Sequence, residues 1–191
     1  MDLNAIIGEL KERLSNKRFN HSIGVMNAAE KLAIRYNGNV EKAKLAGLLH
    51  DYAKELTKSE FKKYINEFEL YKIIDINESV FIFHGLISAK LVSQKYNIND
   101  YEILEAISWH TTGKANMSLL EKIVYVADLI EENRNFQDID FFRKLAFENL
   151  ERSIIYSCNI VVKKLIDNNS LINKNTIEAR NYLILKEKGV I

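Results

Sequence analysis

An all-α fold is what this sequence predicts, on three observations. Apolar residues recur at helical three-and-four spacing along almost the whole chain. There is no proline and there are only seven glycines in 191 residues, so little interrupts a helix. Two segments open with the Ser/Thr-x-x-Glu signature of a helix start, Thr57 with Glu60 and Ser118 with Glu121. No alternating pattern competes as a strand, so the expected architecture is a single helical bundle spanning residues 1–191.

The elements follow in order. Leu3, Ile6, Ile7, Leu10 and Leu14 mark a first helix. A second is expected from about His21 to Tyr36, through Val25, Ala28, Ala29 and Leu32, with Asn37-Gly38 as its stop because glycine tolerates a left-handed backbone. A third runs from about Val40 to Ala53, and its Ala43, Ala46 and Gly47 permit close packing. A fourth begins near Lys58, and residues 65–80 read as a loop or short helix. Phe83, Ile87 and Leu91 mark a helix from about Val80 to Tyr96. The next is capped by Asn99 or Asp100 and ends near Trp109-His110. Ser118 opens one that reaches about Glu131; Asp138 or Asp140 opens a long segment to about Ile166; Thr176 opens the last, to about Lys186.

Composition narrows the function. A net charge of +1 offers no basic footprint for nucleic acid. The single cysteine, Cys158, excludes an internal disulfide and a cysteine-rich zinc site, and reads as a small core residue. The segment MDLNAIIGELKERL carries acidic residues, unlike a signal peptide, and no apolar run approaches the roughly 20 residues of a membrane span. A cytoplasmic location is therefore expected.

The chemistry lies in four histidines, His21, His50, His84 and His110, each in or beside a helical segment. His50 is followed by Asp51, and Asp128 lies on the apolar IVYVADLIEENR segment. Each helix can aim only one or two ligands at a shared point, so this pattern reads as a mixed nitrogen and oxygen site for one or two divalent metals. Neighbouring helical residues diverge by about 100°, so His50 and Asp51 can share a metal only near a helix end or if two metals divide them. Any one of these histidines alone would more simply be structural, and Asp128 could face solvent. Lys54 reads equally as a phosphate contact and as a solvated helix-end lysine. The run Thr111-Thr112-Gly113-Lys114 beside His110 suits phosphate binding, though an ordinary turn uses the same residues. Arg134 could clamp a phosphate in two-pronged fashion or lie on the surface. Trp109 and Tyr125 read as core rather than base-stacking groups.

Four blocks carry a resemblance: RFNHSIGVMNAAEKLA (18–33), KAKLAGLLHDYAKE (42–55), HGLISAKLV (84–92) and AISWHTTGKANMSLLEKIVYVADLIEENR (106–134). Together they resemble the HD-domain metallohydrolases, and within them the YqeK family of bacterial symmetrical diadenosine-tetraphosphate hydrolases. The motif-bearing core covers about 18–147; beyond about 150 no motif is recognised. The resemblance implies a helical fold and a dinuclear metal centre, with iron the expected metal and manganese, cobalt or nickel open to the same donors. Carried over by position, His21, His50, Asp51 and Asp128 hold one metal, and His84, His110 and a bridging Asp51 hold the other. Relatives commonly have proline where Glu132 stands, which implies a small change in helix termination. No block resembles the GYP motif of cyclic-di-GMP phosphodiesterases.

The expected activity is metal-dependent hydrolysis of diadenosine tetraphosphate to two ADP, with Asp51, Lys54 and Arg134 in catalysis and Lys54, Thr111, Thr112, Gly113, Lys114 and Arg134 on the phosphates. The expected partner is a small nucleotide, with no nucleic acid and no membrane, and a homodimer is left open. Two other readings stay open: a different HD-type phosphohydrolase, such as a nucleotidase or guanosine polyphosphate hydrolase, and a nucleotide-binding regulatory module without catalysis.

Overall fold

The structure, a computed structural model, describes residues 2–72 and 80–191, and in them the chain is helix and turn without a strand. Helix α1 (Leu3–Arg13) is capped by Asp2, whose side chain accepts from Asn4 N. Helix α2 (Asn16–Arg35) is capped by Ser15 and begins at Asn16, ahead of the His21 expected from the apolar pattern. The added turn is largely polar and exposed, so it carries no periodicity to read. His21 therefore sits inside the helix rather than at its start.

At the C-terminus of α2 the left-handed residue is Asn37, at φ 54°, and not the expected glycine. Asparagine tolerates that region better than other residues with a side chain. Gly38 matters for packing instead. A Cβ there would lie 3.0 Å from Ile123 Cδ1, so its smallness admits a side chain from a later helix. Helix α3 (Val40–Leu49) stops earlier than Ala53, with His50 as its C-terminal cap and residues 51–55 forming turns. Its Gly47 meets α2 at backbone distance, where a Cβ would stand 3.1 Å from Val25 O.

Helix α4 (Lys58–Glu67) opens with the expected Thr57/Glu60 capping box. Short 3-10 turns follow at Leu70–Lys72 and Val80–Phe83. The remainder of the stretch expected as loop or short helix, 73–79, lies outside the described residues. Helix α5 (His84–Tyr96) starts at a histidine, α6 (Tyr101–Trp109) is capped by Asp100, and α7 (Leu119–Ile130) opens with the Ser118/Glu121 capping box.

The segment expected as one element after residue 138 is two helices, α8 (Ile139–Glu148) and α9 (Leu150–Asp167). Asn149 divides them. Its backbone is extended, at φ −151° and ψ 101°, and its side chain accepts from Arg152 N, so one residue ends α8 and caps α9. Apolar spacing continues across the break, which conceals it from a periodicity reading. Helix α10 (Lys174–Glu187) is capped by Asn173, one turn or less ahead of the expected Thr176.

Helix α7 is the axis of the bundle and packs against α2, α3, α6, α8 and α9. Ile123, Val124, Val126 and Ala127 are fully buried in it, and Cys158 of α9 joins the same core. A smaller cluster around Ala53, Phe61, Leu70, Phe83, Leu86 and Ile87 seats α4 against α5, with Trp109 half-buried on it.

The same substitution at two glycines should move stability in opposite directions. Gly8 lies exposed on α1 with nothing near its missing Cβ, so Gly8→Ala should stabilise by about 0.5–1 kcal/mol through helix propensity. A Cβ at Gly85 would lie 2.6 Å from Ser108 O and 2.7 Å from Ile107 O, so Gly85→Ala must push α5 from α6 and should cost about 1–3 kcal/mol. Urea midpoints of the two variants against the parent check both signs.

Candidate metal centre

The ends of α3 and α6, the start of α5 and the inner faces of α2 and α7 meet at one place. All six expected ligands are gathered there. His50 and His110 keep helical backbone angles at the ends of α3 and α6, and it is Asp51, in the turn beyond α3, that leaves the 100° rotation of helical neighbours. His50 caps α3 and Asp51 follows in the turn; His110 caps α6; His84 opens α5. His21 and Asp128 come from within α2 and α7.

Asp51 is at the centre, buried, with one oxygen directed to each side. Its Oδ2 lies 3.3 Å from His50 Nε2 and 3.6 Å from His21 Nε2. Its Oδ1 lies 2.8 Å from His84 Nε2 and 3.6 Å from His110 Nε2. Asp128 Oδ1 completes the first group, 3.0 Å from His21 Nε2 and 3.8 Å from His50 Nε2. The second pair is closed by His84 Nε2 and His110 Nε2 at 2.9 Å.

These separations fit a cation. With metal–ligand bonds of about 2.1 Å, adjacent donors stand about 3.0 Å apart at octahedral angles and about 3.4 Å apart at tetrahedral ones. Three overlapping donor sets keep their ligand atoms within 4.8 Å of one another: His21, His50 and Asp51; Asp51, His84 and His110; and His50, His110 and Asp128. Asp51 Oδ1 is a buried oxygen that no hydrogen bond of good geometry reaches, so its lone pairs point into the cluster. The site can therefore hold divalent metal.

Electrostatics agree. Burial opposes ionisation of Asp51, but His50 and the imidazoles of His110 and His84 hold its carboxyl well below the ordinary value. Asp128 is likewise held down against burial, by His21, His50 and Arg134. Burial pushes the His110 imidazole down to about 4, which keeps it neutral, the form in which histidine binds metal. For His50, burial is outweighed by Asp51 and Asp128, which raise its pKa. One buried and one partly buried carboxylate thus draw positive charge to this spot.

Hydrogen bonds behind the ligands fix the rings. His50 Nδ1 is 2.7 Å from Gly47 O and His110 Nδ1 is 2.7 Å from Ile107 O, so in both the Nε2 lone pair faces the cluster. His21 Nδ1 faces the Glu131 carboxylate instead, at 3.1 Å.

Three cations border the cluster. Lys54 Nζ lies 3.1 Å from His84 Nε2 and 3.9 Å from Asp51 Oδ1, and its pKa is lowered chiefly by burial. Arg134 donates from Nη2 to Asp128 Oδ1 at 2.6 Å and from Nε to Asp128 O at 2.9 Å, with part of its side chain exposed. Arg18 donates to Asp51 Oδ2. Arg18 and Glu131 are the two residues at the site that motif and composition do not single out. Arg18 lies three residues before His21, hence on the same face of α2, and that spacing is the signal that could find it. Glu131 lies in the IEENR stretch with no periodic cue.

The run after His110 divides. Thr111 stands at the site, its hydroxyl 3.1 Å from His110 Nε2 and 3.4 Å from His84 Nε2. Thr112 is buried and donates to Gly113 O. Gly113 adopts φ +64°, and a Cβ there would stand 3.2 Å from Ala179 Cβ of α10, so a glycine is needed for the turn. Lys114 is engaged by Glu105 Oε2 at 2.5 Å and Glu121 Oε1 at 2.9 Å. The structure thus brings Thr111 to the metal cluster and gives Thr112, Gly113 and Lys114 other partners.

The HD domain model matches residues 18–133. The symmetrical bis(5'-nucleosyl)-tetraphosphatase of Bacillus subtilis is 37% identical over 176 residues, 92% of this chain and 94% of that protein. A protein of the same description from Halalkalibacterium halodurans is 37% identical over 94% of this chain and 95% of its own length. A solved structure from Clostridium acetobutylicum, described as an HD superfamily hydrolase involved in NAD metabolism, superposes with a TM-score of 0.90 at 39% identity, covering 97% of this chain and 98% of the other. With a six-donor His/Asp cluster inside the matched region and likeness over nearly its full length, the chain belongs to the HD-domain family and, within it, to the group of the Bacillus symmetrical bis(5'-nucleosyl)-tetraphosphatase.

Proposed function

We propose that the chain hydrolyses dinucleoside polyphosphates, diadenosine tetraphosphate above all, to two molecules of ADP. The observation that carries this is the six-donor cluster around Asp51 bordered by Lys54, Arg134 and Arg18. Curated relatives of that activity at 35–37% identity support the substrate class. A small nucleotide is the partner this site suits, and no helix among the described residues is long and apolar enough to cross a membrane.

His21, His50, Asp51 and Asp128 would hold one divalent ion, and His84, His110 and the other oxygen of Asp51 a second, with iron as the expected metal. When bound, such ions lower the pKa of a water molecule and neutralise phosphoryl oxygens. The reaction adds the water oxygen to one of the two central phosphorus atoms and breaks its bond to the bridging oxygen, which leaves with the second ADP. Charge on the phosphate chain is the main obstacle, and the chain's own residues address it. Lys54 is fixed between Asp51 and His84, facing the second pair of ligands. Arg134 has a planar guanidinium, held on Asp128 through Nε and Nη2, and its part-exposed side chain leaves further N–H donors for a phosphate. Arg18 faces the opposite oxygen of Asp51. The Thr111 hydroxyl can donate to a phosphoryl oxygen. Lys114, paired with Glu105 and Glu121, is assigned to steadying the turn after His110.

The first test is product analysis of metal-loaded protein. Diadenosine tetraphosphate should give ADP as the sole early product. Equal ATP and AMP would mean attack at an outer phosphate and refute symmetrical cleavage. NAD belongs in the same panel, because the Clostridium relative is described by NAD metabolism; faster release of AMP from NAD than of ADP from the tetraphosphate would favour a pyrophosphatase instead.

Metal analysis tests the ligand set. Two ions per chain are expected. Asp51→Ala should disturb both and His84→Ala mainly the second. A stoichiometry of one in fully active protein given excess metal is the contrary result.

Steady-state kinetics separate the cations. Loss of one charge-assisted phosphate contact costs about 1.5–3 kcal/mol, so Arg134→Ala should lower kcat/KM roughly ten- to a hundredfold with metal content unchanged. Arg134→Lys should recover it only in part, because the two-pronged geometry is lost. Lys114→Ala should leave kcat/KM near the parent value while lowering thermal stability; a large loss of kcat/KM would return Lys114 to the phosphate site.

A further inference from the structure

We propose that Glu131 is a positioning residue whose carboxylate fixes the tautomer of His21 and strengthens it as a ligand, making the His21, His50 and Asp128 half of the centre the tighter of its two halves. This rests on the assignment of His21 as a metal ligand.

An imidazole offers Nε2 to a metal only when Nδ1 carries the proton. An ionised carboxylate can only accept, so Glu131 Oε1, 3.1 Å from His21 Nδ1, selects that tautomer. His50 and His110 are set by the neutral carbonyls of Gly47 and Ile107. The difference is one of charge. A carboxylate holds the Nδ1 proton more firmly than a carbonyl does, and so fixes the ring with Nε2 facing the cluster. The half that contains His21 thus differs from the other in two ways: it has a second carboxylate, Asp128, and a carboxylate stands behind one of its imidazoles.

Glu131 is held in this position from three directions. It is buried, at 2% exposure, just after the end of α7. Its Oε2 accepts from Asn133 N at 2.7 Å and Asn133 Nδ2 at 3.0 Å, which turns Oε1 to the imidazole. Arg143 of α8 binds the loop's backbone, donating to the carbonyls of Ile130, Glu131 and Arg134 at 3.0, 2.9 and 3.1 Å. Across the interface α2 leaves a notch at Gly24, one turn beyond His21, where a Cβ would lie 2.5 Å from Oε2. The glycine is thereby explained: any side chain there would displace the carboxylate.

The test uses the full chain freed of metal and titrated with Co(II) against a competing chelator, with the Co(II) absorption spectrum as a second readout. Glu131→Gln keeps shape and acceptor oxygen and removes charge. It should weaken the tighter equivalent roughly tenfold to a hundredfold and alter its spectrum, leaving the weaker equivalent as in the parent. Gly24→Ala should act in the same direction by displacing Oε2, and it serves if Glu131→Gln does not fold. Unchanged affinities in both variants, equal weakening of both equivalents, or a parent protein with two equal affinities or a single equivalent overturns the proposal. His21→Ala distinguishes the two levels. If it loses the tighter equivalent while Glu131→Gln does not, the ligand assignment stands and the positioning role falls. If it keeps both equivalents, the ligand assignment itself falls and takes this inference with it.

Discussion

One buried carboxylate, that of Asp51, imposes the terms on which the rest of this structure is built. Its two oxygens face two pairs of imidazoles, so four helix ends or faces have to converge within a few ångströms of a single side chain. Convergence that close leaves little room for side chains between helices. Gly47 lets α3 approach α2, and Gly85 lets α5 approach α6 at backbone distance. The small residues of the bundle are where they are because the site needs its helices near one another.

Burying negative charge at that point requires compensation. Asp51 and Asp128 lie beside Arg18, Lys54 and Arg134 as well as the imidazoles. Those cations stabilise the carboxylates and also give the site edge the sign that a polyphosphate seeks. The field that makes the cluster tolerable in a protein interior is therefore the field that would draw the substrate.

What the sequence discloses depends on whether the signal is local. Capping boxes at Thr57 and Ser118 are local, and both helices begin there. The four clustered histidines are legible because they are few and each sits by a helical segment. The polar first turn of α2, the break at Asn149 and the left-handed Asn37 are not legible from apolar spacing, which is silent on polar turns and continues across a one-residue break. Lys114 shows what composition leaves out. Beside His110 and Gly113 it has the composition of a phosphate turn, but its partners Glu105 and Glu121 lie on α6 and α7, and only folding reveals that they claim it. Glu131 is hidden for the same reason, since its partner His21 is 110 residues away.

The C-terminal segment carries no recognisable motif, yet Gly113 rests on Ala179, and Tyr182 donates to Asn116 Oδ1. Helix α10 is thus the backing of the loop that follows His110. It is itself fastened by a narrow buried strip, Thr176, Ala179 and Leu183. An element with so few buried groups opens at lower free energy than the central helices. The turn after His110 is therefore only as well supported as this strip is packed.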